Sequence, residues 1–507
     1  MTTPTRYITI NDFHASTPVH AVWEITLACD LKCQHCGSRA GKRRHNELST
    51  EECLALVRQL ARLGTREVSL IGGEAYLRRD WTKIISEVRA LGMDCTMQTG
   101  GLHLTEERIR EAAEAGLQGV GVSIDGLEEV HDRLRGVKGS FVAAFAALRR
   151  LRDYGITTSV NTQITSLVIP QLHKLFKLFL DAGAKNWQVQ LTVAMGRAAD
   201  HPEILLQPYE LLDLMPLLAE LYEKGVDQGL LLQPGNNIGY FGPYESLLRG
   251  SGDDRIHWKG CRAGQNTIGI EADGTIKGCP SLATSVFAGG NIRDLSLEDI
   301  WRKTPELNFN HIRTGTELSG FCRTCYYAEV CRGGCTWLTH SLFGDLGNNP
   351  YCHHRTLELA RRGLRERIEL IENAPGIPFD HGLFALILET LDGQPLEETK
   401  IIISKSNIDG LKGANTNHHN DSVKQLPRRL VQIESSKKQL QQPSFKQRHR
   451  TARFLILCRN CNRHIYRRTS ICTHCGGNVK AAAQRYGKKL RAARRACQRL
   501  LKHLPQT

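Results

Sequence analysis

The sequence predicts an α/β protein: a partial (β/α)6 TIM-like barrel, then a cysteine-rich domain, then a small C-terminal zinc module. Three observations predict it. Six short apolar runs alternate with amphipathic helical patterns over residues 19–195. Fourteen of the 17 cysteines fall into three clusters, one early, one central and one late. Charge divides the same way: residues 401–507 carry 24 Lys+Arg against 3 Asp+Glu, net +21, and residues 1–400 are net −6.

The chain has 507 residues, enough for two to four domains, and 41% hydrophobic residues can fill large cores. No run approaches the ~20 apolar residues of a membrane span. The start, "MTTPTRYITINDFHAS", lacks a signal-peptide pattern, so a cytoplasmic protein with no membrane contact is expected. Cytosolic disulfides are rare, so clustered cysteines there point to metals or catalysis. Cys53, Cys95 and Cys497 stand outside the clusters and read as packing or surface residues.

The candidate strands are "VHAVWEIT", "VSLIGG", "DCTMQTGG", "GVGVSIDG", "TTSVNTQIT" and "NWQVQLTVA". Helical patterns such as "STEECLALVRQLARLG" lie between them, with Ser49 and Glu52 placed as a capping box. Gly64, Gly92, Gly116, Gly155 and Gly183 stand where those helices stop. Strands separated by helices imply right-handed crossovers and a parallel sheet, with reactive groups at the strands' carboxyl ends. A helix is predicted over 203–232 and a closing helix over 355–373; residues 374–400 are ambiguous. Residues 403–450 are rich in Asn, Gln, Lys and Ser and read as a linker. The resulting domains are 18–240 (barrel), 241–373 (cysteine-rich), 374–450 (uncertain segment and polar linker) and 451–507 (basic four-cysteine tail).

The chemistry begins after the first strand. Cys29, Cys33 and Cys36 are spaced C-x3-C-x2-C. Closed structural zinc wants four ligands, so a partial zinc site borrowing a distant ligand is one reading. The other is a cubane iron–sulfur cluster with three irons held by thiolates and the fourth open. Gly72, Gly73 and Glu74 end the second strand; glycine there permits close backbone approach, and the carboxylate can accept from an ammonium group. Ser123 and Asp125 end the fourth strand, where a hydroxyl and a carboxylate suit ribose hydroxyls.

In order along one β-α array, these motifs resemble the radical SAM superfamily. The resemblance implies that Cys29, Cys33 and Cys36 hold a 4Fe–4S cluster whose open iron chelates S-adenosyl-L-methionine. It implies that Gly72, Gly73 and Glu74 hold the methionine amine, that Ser123 and Asp125 lie near the ribose, and that His35 lies near the adenine. Reductive cleavage then gives a 5′-deoxyadenosyl radical that abstracts hydrogen. The family's GGEP reads GGEA here, with Ala75 in place of proline.

The central cluster resembles the seven-cysteine SPASM domain, which holds two auxiliary 4Fe–4S clusters. By that pattern Cys322, Cys325, Cys331 and Cys352 hold one cluster, and Cys261, Cys279 and Cys335 the other. No eighth cysteine stands just upstream of Cys261, which leaves an open iron or a ligand such as His257. The late cluster, Cys458, Cys461, Cys472 and Cys475, is C-x2-C-x10-C-x2-C and reads as one zinc site. Its Arg and Lys residues form either a solvated face or a dock for an acidic peptide or nucleic acid. No set of stacking aromatics accompanies them.

The expected function is that of a SPASM peptide maturase: an oxidoreductase that modifies, by cross-linking, a ribosomally made (RiPP) precursor peptide. It would use three 4Fe–4S clusters, S-adenosyl-L-methionine and a reducing partner such as flavodoxin or ferredoxin. Pro280, where the sulfatase-maturing branch has aspartate, lowers a formylglycine-forming reading. With Cys29 so early, no N-terminal leader-recognition domain is expected, and the basic tail becomes the leader's candidate site. The alternatives are anaerobic oxidation of a protein side chain or small molecule and, in another class, a non-catalytic metal protein binding nucleic acid through its tail.

Overall fold

The computed structural model describes residues 6–250, 256–394, 396 and 455–501. Six strands form where the alternation predicts them: β1 His20–Glu24, β2 Glu67–Ile71, β3 Asp94–Thr99, β4 Gly119–Ser123, β5 Thr157–Ile164 and β6 Asn186–Leu191. They pair in parallel, in chain order. Alternate residues such as Cys95, Met97, Val160, Trp187 and Val189 are fully buried and join helix residues Val88, Leu148 and Phe179 in one core. Their neighbours along each strand are half-buried and polar. Helix Thr50–Arg62 starts on the predicted capping box, with Ser49 Oγ accepting from Glu52 N–H and the Glu52 carboxylate accepting from Ser49 N–H. Cys53 and Cys95 are buried packing residues.

The sheet is wider than six strands. β7, Leu231–Pro234, adds in parallel beside β6. β8, Thr267–Ile270, pairs in parallel with the other edge of β1, and β9 Thr275–Lys277 and β10 Ala288–Asn291 follow antiparallel. The cysteine-rich domain therefore continues the barrel's own sheet. β7 corrects the helix predicted over 203–232. That helix spans only Leu211–Gln228, because Gly229 takes φ 81° and turns the chain back into the sheet.

The closing helix predicted over 355–373 is also corrected. It ends at Ala360, and after Gly363 (φ +73°) the chain forms β11, Leu364–Glu372. β11 pairs antiparallel with β12, Leu383–Thr390, inside the segment that reads as ambiguous. The charges of 364–372 suggest a helix surface. In the strand they are paired instead: Glu366 with Arg355 at 2.7 Å, and Arg365 and Arg367 with Glu389. The segment 403–450, expected to be a linker, lies outside the described residues; after it the tail forms a hairpin of β13 Leu455–Leu457 and β14 His464–Tyr466, then a helix, Val479–Leu501. Among the described residues no helix is long and apolar enough to cross a membrane.

Candidate metal and cofactor centres

Cys29, Cys33 and Cys36 occupy the loop leaving β1. Backbone straps from its Lys32 and Gln34 N–H to Arg135 and Leu134 C=O hold it to the end of helix Glu128–Arg135. Gly136 (φ +69°) has no room for a Cβ, which would lie 2.5 Å from Lys32 O. On the other side Arg197 Nε donates to Cys33 O at 2.7 Å and Nη1 to Ala40 O at 3.0 Å. Phe379 N–H donates to Gly37 O at 3.0 Å, so the segment before β12 also buttresses the loop. Each sulfur receives one N–H: Leu31 N to Cys29 at 3.4 Å, Arg135 Nη1 to Cys33 at 3.7 Å and Ala40 N to Cys36 at 3.3 Å. Burial pushes the Cys33 thiol up to about 11 against the pull of Arg135, and raises Cys29 further, with Glu74 adding to the effect. Thiols this buried ionise only beside a strong positive charge, which a metal centre supplies, and the three N–H donors suit thiolate ligands.

Glu74 lies beside Cys29. Its carboxylate accepts from Gly100 N–H at 2.7 Å and from the Thr99 hydroxyl. Burial pushes its carboxyl up to about 7, against those two bonds. Gly72 and Gly73 serve the cysteine loop. A Cβ on them would sit 2.3 Å from Thr26 O and 2.1 Å from Ala28 O, where the loop's backbone bonds to Gly73 and Glu74 N–H. The sequence reading missed Asp30. Cys29 Sγ, an Asp30 oxygen and a Glu74 oxygen lie within 4.8 Å of one another. Asp30 Oδ2 accepts from Tyr76 at 2.8 Å and meets His103 at 2.8 Å, while Oδ1 is buried without a partner. An unpartnered acceptor beside Glu74 fits a cationic ammonium group there. No motif marks Asp30 beyond its place next to Cys29.

Asp125 is fully buried. Its Oδ2 meets His35 Nε2 at 2.7 Å and Arg135 Nη2 at 2.5 Å, and its Oδ1 accepts from Gln163 N–H at 2.7 Å. Burial alone would raise its carboxyl; Arg135 and His35 instead hold it well below the usual carboxylate range. In this structure both oxygens that the sequence sets beside a ribose are engaged by protein groups. The network ties His35, which the resemblance implies to lie near the adenine, and the Cys33 sulfur to the end of β4. Ser123 is half-buried at the end of β4, in register with Asn161.

The central cysteines separate into two groups. Cys322, Cys325, Cys331 and Cys352 line one cavity together with Tyr327 and His354. Tyr327 N–H donates to Cys325 Sγ and Asn349 N–H to Cys322 Sγ, both at 3.4 Å. Burial pushes Cys352 up to about 12 and raises the other three thiols. Cys335 is raised first by burial, with Cys261 and Cys279 adding to the effect, and Cys261 and Cys279 pack against one apolar cluster. His257 makes its contacts elsewhere: its ring lies 5.3 Å from His464, and Nδ1 meets Trp258 O at 2.8 Å.

The tail cysteines are closer together. All four sulfurs lie within 4.8 Å of one another, with Cys458–Cys475 at 3.9 Å and Cys461–Cys472 at 3.7 Å. A tetrahedron of metal–sulfur bonds about 2.3 Å long has edges of about 3.8 Å. Burial works against ionising Cys475, but donors led by Asn460 hold its thiol down to about 7. Among the described residues the loop and central cysteines form no such all-cysteine group; of them only Cys29 joins a close set, with Asp30 and Glu74. A cubane spreads its ligands over separate irons and asks for wider spacing.

Residues 23–173 match the radical SAM superfamily, and residues 261–326 match SPASM, an iron–sulfur cluster-binding domain. The AdoMet-dependent heme synthase of Oleidesulfovibrio alaskensis is 30% identical over 356 residues, which span 66% of this chain and 86% of that protein. The mycofactocin maturase MftC of Mycolicibacterium smegmatis is 30% identical over 346 residues, 66% of this chain and 82% of its own. Streptococcus suis SuiB bound to its precursor peptide SuiA shares the fold, with a TM-score of 0.52 at 20% identity over 64% of this chain and 72% of SuiB. With the cysteine loop and the central cysteines arranged as described, the chain belongs to the radical SAM superfamily, in its SPASM branch of iron–sulfur, S-adenosylmethionine-binding enzymes.

Proposed function

We propose that this enzyme oxidises, and thereby cross-links, a ribosomally made precursor peptide. Cys29, Cys33 and Cys36 would hold the cofactor-binding cluster. Cys261, Cys279 and Cys335, and then Cys322, Cys325, Cys331 and Cys352, would hold two auxiliary clusters, and the four tail cysteines one zinc. When bound, the first cluster and S-adenosylmethionine supply one-electron sulfonium cleavage and hydrogen-atom abstraction. The chain's own residues position the cofactor. Glu74 and Asp30 accept from its ammonium group, and Thr99 and Gly100 N–H fix the Glu74 carboxylate. The Ser123 hydroxyl suits the ribose. The Asp125–Arg135–His35 network holds the cysteine loop to the sheet. Flavodoxin or ferredoxin is the proposed electron donor.

The observation that carries the peptide reading is the inner face of the barrel. Ser123, Asn161, Gln188 and Gln233 share one register level across β4 to β7, and Gln163 pairs with Gln190 one level nearer the carboxyl ends. Asn161 also reaches Gln98 across Gly121, where a Cβ would lie 2.1 Å from the Gln98 oxygen. Carboxamides offer a donor and an acceptor each, as a peptide backbone does. Three strand spacings of about 4.8 Å give a wall of about 14 Å, enough for roughly four extended residues. None of these residues is a cation that would pair with the carboxylates of a tetrapyrrole.

The test is to incubate reconstituted, reduced enzyme with S-adenosylmethionine and peptides encoded beside its gene, and to weigh the products. A peptide lighter by two hydrogen atoms per link is expected. Release of 5′-deoxyadenosine with every peptide unchanged overturns the reading. The heme synthase relatives favour a second reading, oxidation of a small molecule such as a tetrapyrrole, and its conversion in the same assay would select that reading.

A further inference from the structure

We propose that the four-cysteine tail module is a docked cover over the second auxiliary centre, the cavity lined by Cys322, Cys325, Cys331 and Cys352. The module packs on the residues that follow two of those cysteines. Tyr326 and Tyr327 come directly after Cys325; His353 and His354 come directly after Cys352. The Tyr327 hydroxyl donates to His464 O and meets His474 Nε2 at 2.7 Å. The Tyr326 hydroxyl accepts from Tyr466 N–H at 2.9 Å, and their rings lie 4.9 Å apart. Arg463 donates to Glu358 at 3.0 Å and contacts His354 Nδ1. Tyr327, which with His354 lines the cysteine cavity, is sandwiched: Phe241 stacks on it at 4.1 Å and His474 lies over it at 5.7 Å.

This is a buried interface, not a tethered tail touching a surface. Tyr327 and His464 are fully buried, and Arg463, carrying a full charge, is 2% exposed. A buried guanidinium is tolerated only where its partners stay in place, so Arg463 ties the module to one position. His354, Glu358 and His474 could in principle ligate a metal, but the Arg463 guanidinium already lies against His354 and Glu358. Leu455 belongs to the same apolar core as the barrel and the cysteine-rich domain. The metal of the tail then has a use beyond folding a short hairpin: it stiffens one wall of the neighbouring centre and shields that centre from solvent and oxidants.

The test uses the full-length reconstituted protein, the Arg463→Glu variant, and the exchanged pair Arg463→Glu/Glu358→Arg. Amide hydrogen exchange is read over 455–475, 320–335, 350–357 and the barrel loop 26–41, with iron retained after a timed exposure to air. In the single variant, exchange at least tenfold faster is expected over the first three segments, with accelerated loss of up to one cluster's iron. The barrel loop should be unchanged, and the exchanged pair should restore protection. If Arg463→Glu unfolds the whole chain, Glu358→Gln gives the same reading with a smaller change. The proposal is overturned if the tail loosens while 320–335 and 350–357 stay protected and the iron is retained, or if neither variant loosens the tail.

Discussion

The loop at Cys29 and the module at Cys458 both gather cysteines, three over residues 29–36 and four over residues 458–475, yet the two sets are arranged differently. In the tail, four sulfurs lie within 4.8 Å of one another, and two of the pairs stand at 3.9 and 3.7 Å, close to the edge of a metal–sulfur tetrahedron. In the loop, three sulfurs are spread, each with one N–H donor, and the side facing Glu74 and Asp30 ends in an unpartnered buried carboxylate oxygen. Residue type is the same in both, but number and spacing are not: three cysteines in C-x3-C-x2-C against four in C-x2-C-x10-C-x2-C. What also differs is how the backbone aims the sulfurs and what stands on the far side. A closed set makes structure, and a set with an open face makes chemistry.

The largest expected effect falls on the open centre. Cys33→Ser should abolish S-adenosylmethionine cleavage and lower the iron content by about four atoms per chain. The tail should keep its protection from hydrogen exchange, because its sulfurs are independent of the loop. Iron analysis and 5′-deoxyadenosine release measure this; residual turnover would mean that the open face lies elsewhere. The converse comes next. A chelator, or Cys472→Ser, should unfold the hairpin and loosen helix Val479–Leu501, since metal binding in small modules contributes on the order of 10–16 kcal/mol and is inseparable from folding. Exchange mass spectrometry should show the loss confined to the tail and the walls it touches, with the barrel loop still protected.

The sequence carried these centres unequally. The cysteine groups, the six barrel strands and the Ser49–Glu52 cap were legible because each rests on local spacing or periodicity. β7 was hidden in a long helical pattern that one glycine interrupts. β11 was hidden because Arg365, Glu366 and Arg367 look like a helix surface until Glu389 and Arg355 are seen to neutralise them. Asp30, Arg135 and Arg197 carry no motif; each acts at the cysteine loop through contacts that only folding creates. The docking of the tail was equally unreadable, because it depends on single tyrosines and histidines that happen to follow cluster cysteines.

A smaller effect tests the open face itself. Glu74→Gln keeps the shape, and its one oxygen can still accept from Gly100 N–H, but its amide must donate to the Thr99 hydroxyl instead of accepting from it, and the charge offered to an ammonium group is removed. A hydrogen bond to a charged group contributes roughly 1.5–3 kcal/mol, so KM for S-adenosylmethionine should rise about tenfold or more while the iron content stays full. Asp30→Asn should act in the same direction, and the pair should weaken binding by less than the product of the two effects, because both acceptors face one site. Equal and fully additive losses would show that the two carboxylates serve different groups.

The smallest effect separates the frame from either cysteine centre. His20 starts β1, beside Ser69 at 2.9 Å, with Arg6 and Glu67 near; burial, then Arg6, push it down to about 4, with Glu67 opposing. Its folded value lies below the ordinary value of 6.5, so the folded state prefers the neutral ring. That preference is fully present above about pH 6.5 and fades as the pH falls toward 4, where folded and unfolded chains both bind the proton. The loss is on the order of 3 kcal/mol at most. His20→Gln should therefore flatten the fall in melting temperature between pH 6.5 and 4 without altering iron content or the tail's exchange. If the slope is unchanged, the acid sensitivity lies with other buried histidines held below the ordinary value, such as His131 in the barrel and His340 in the cysteine-rich domain.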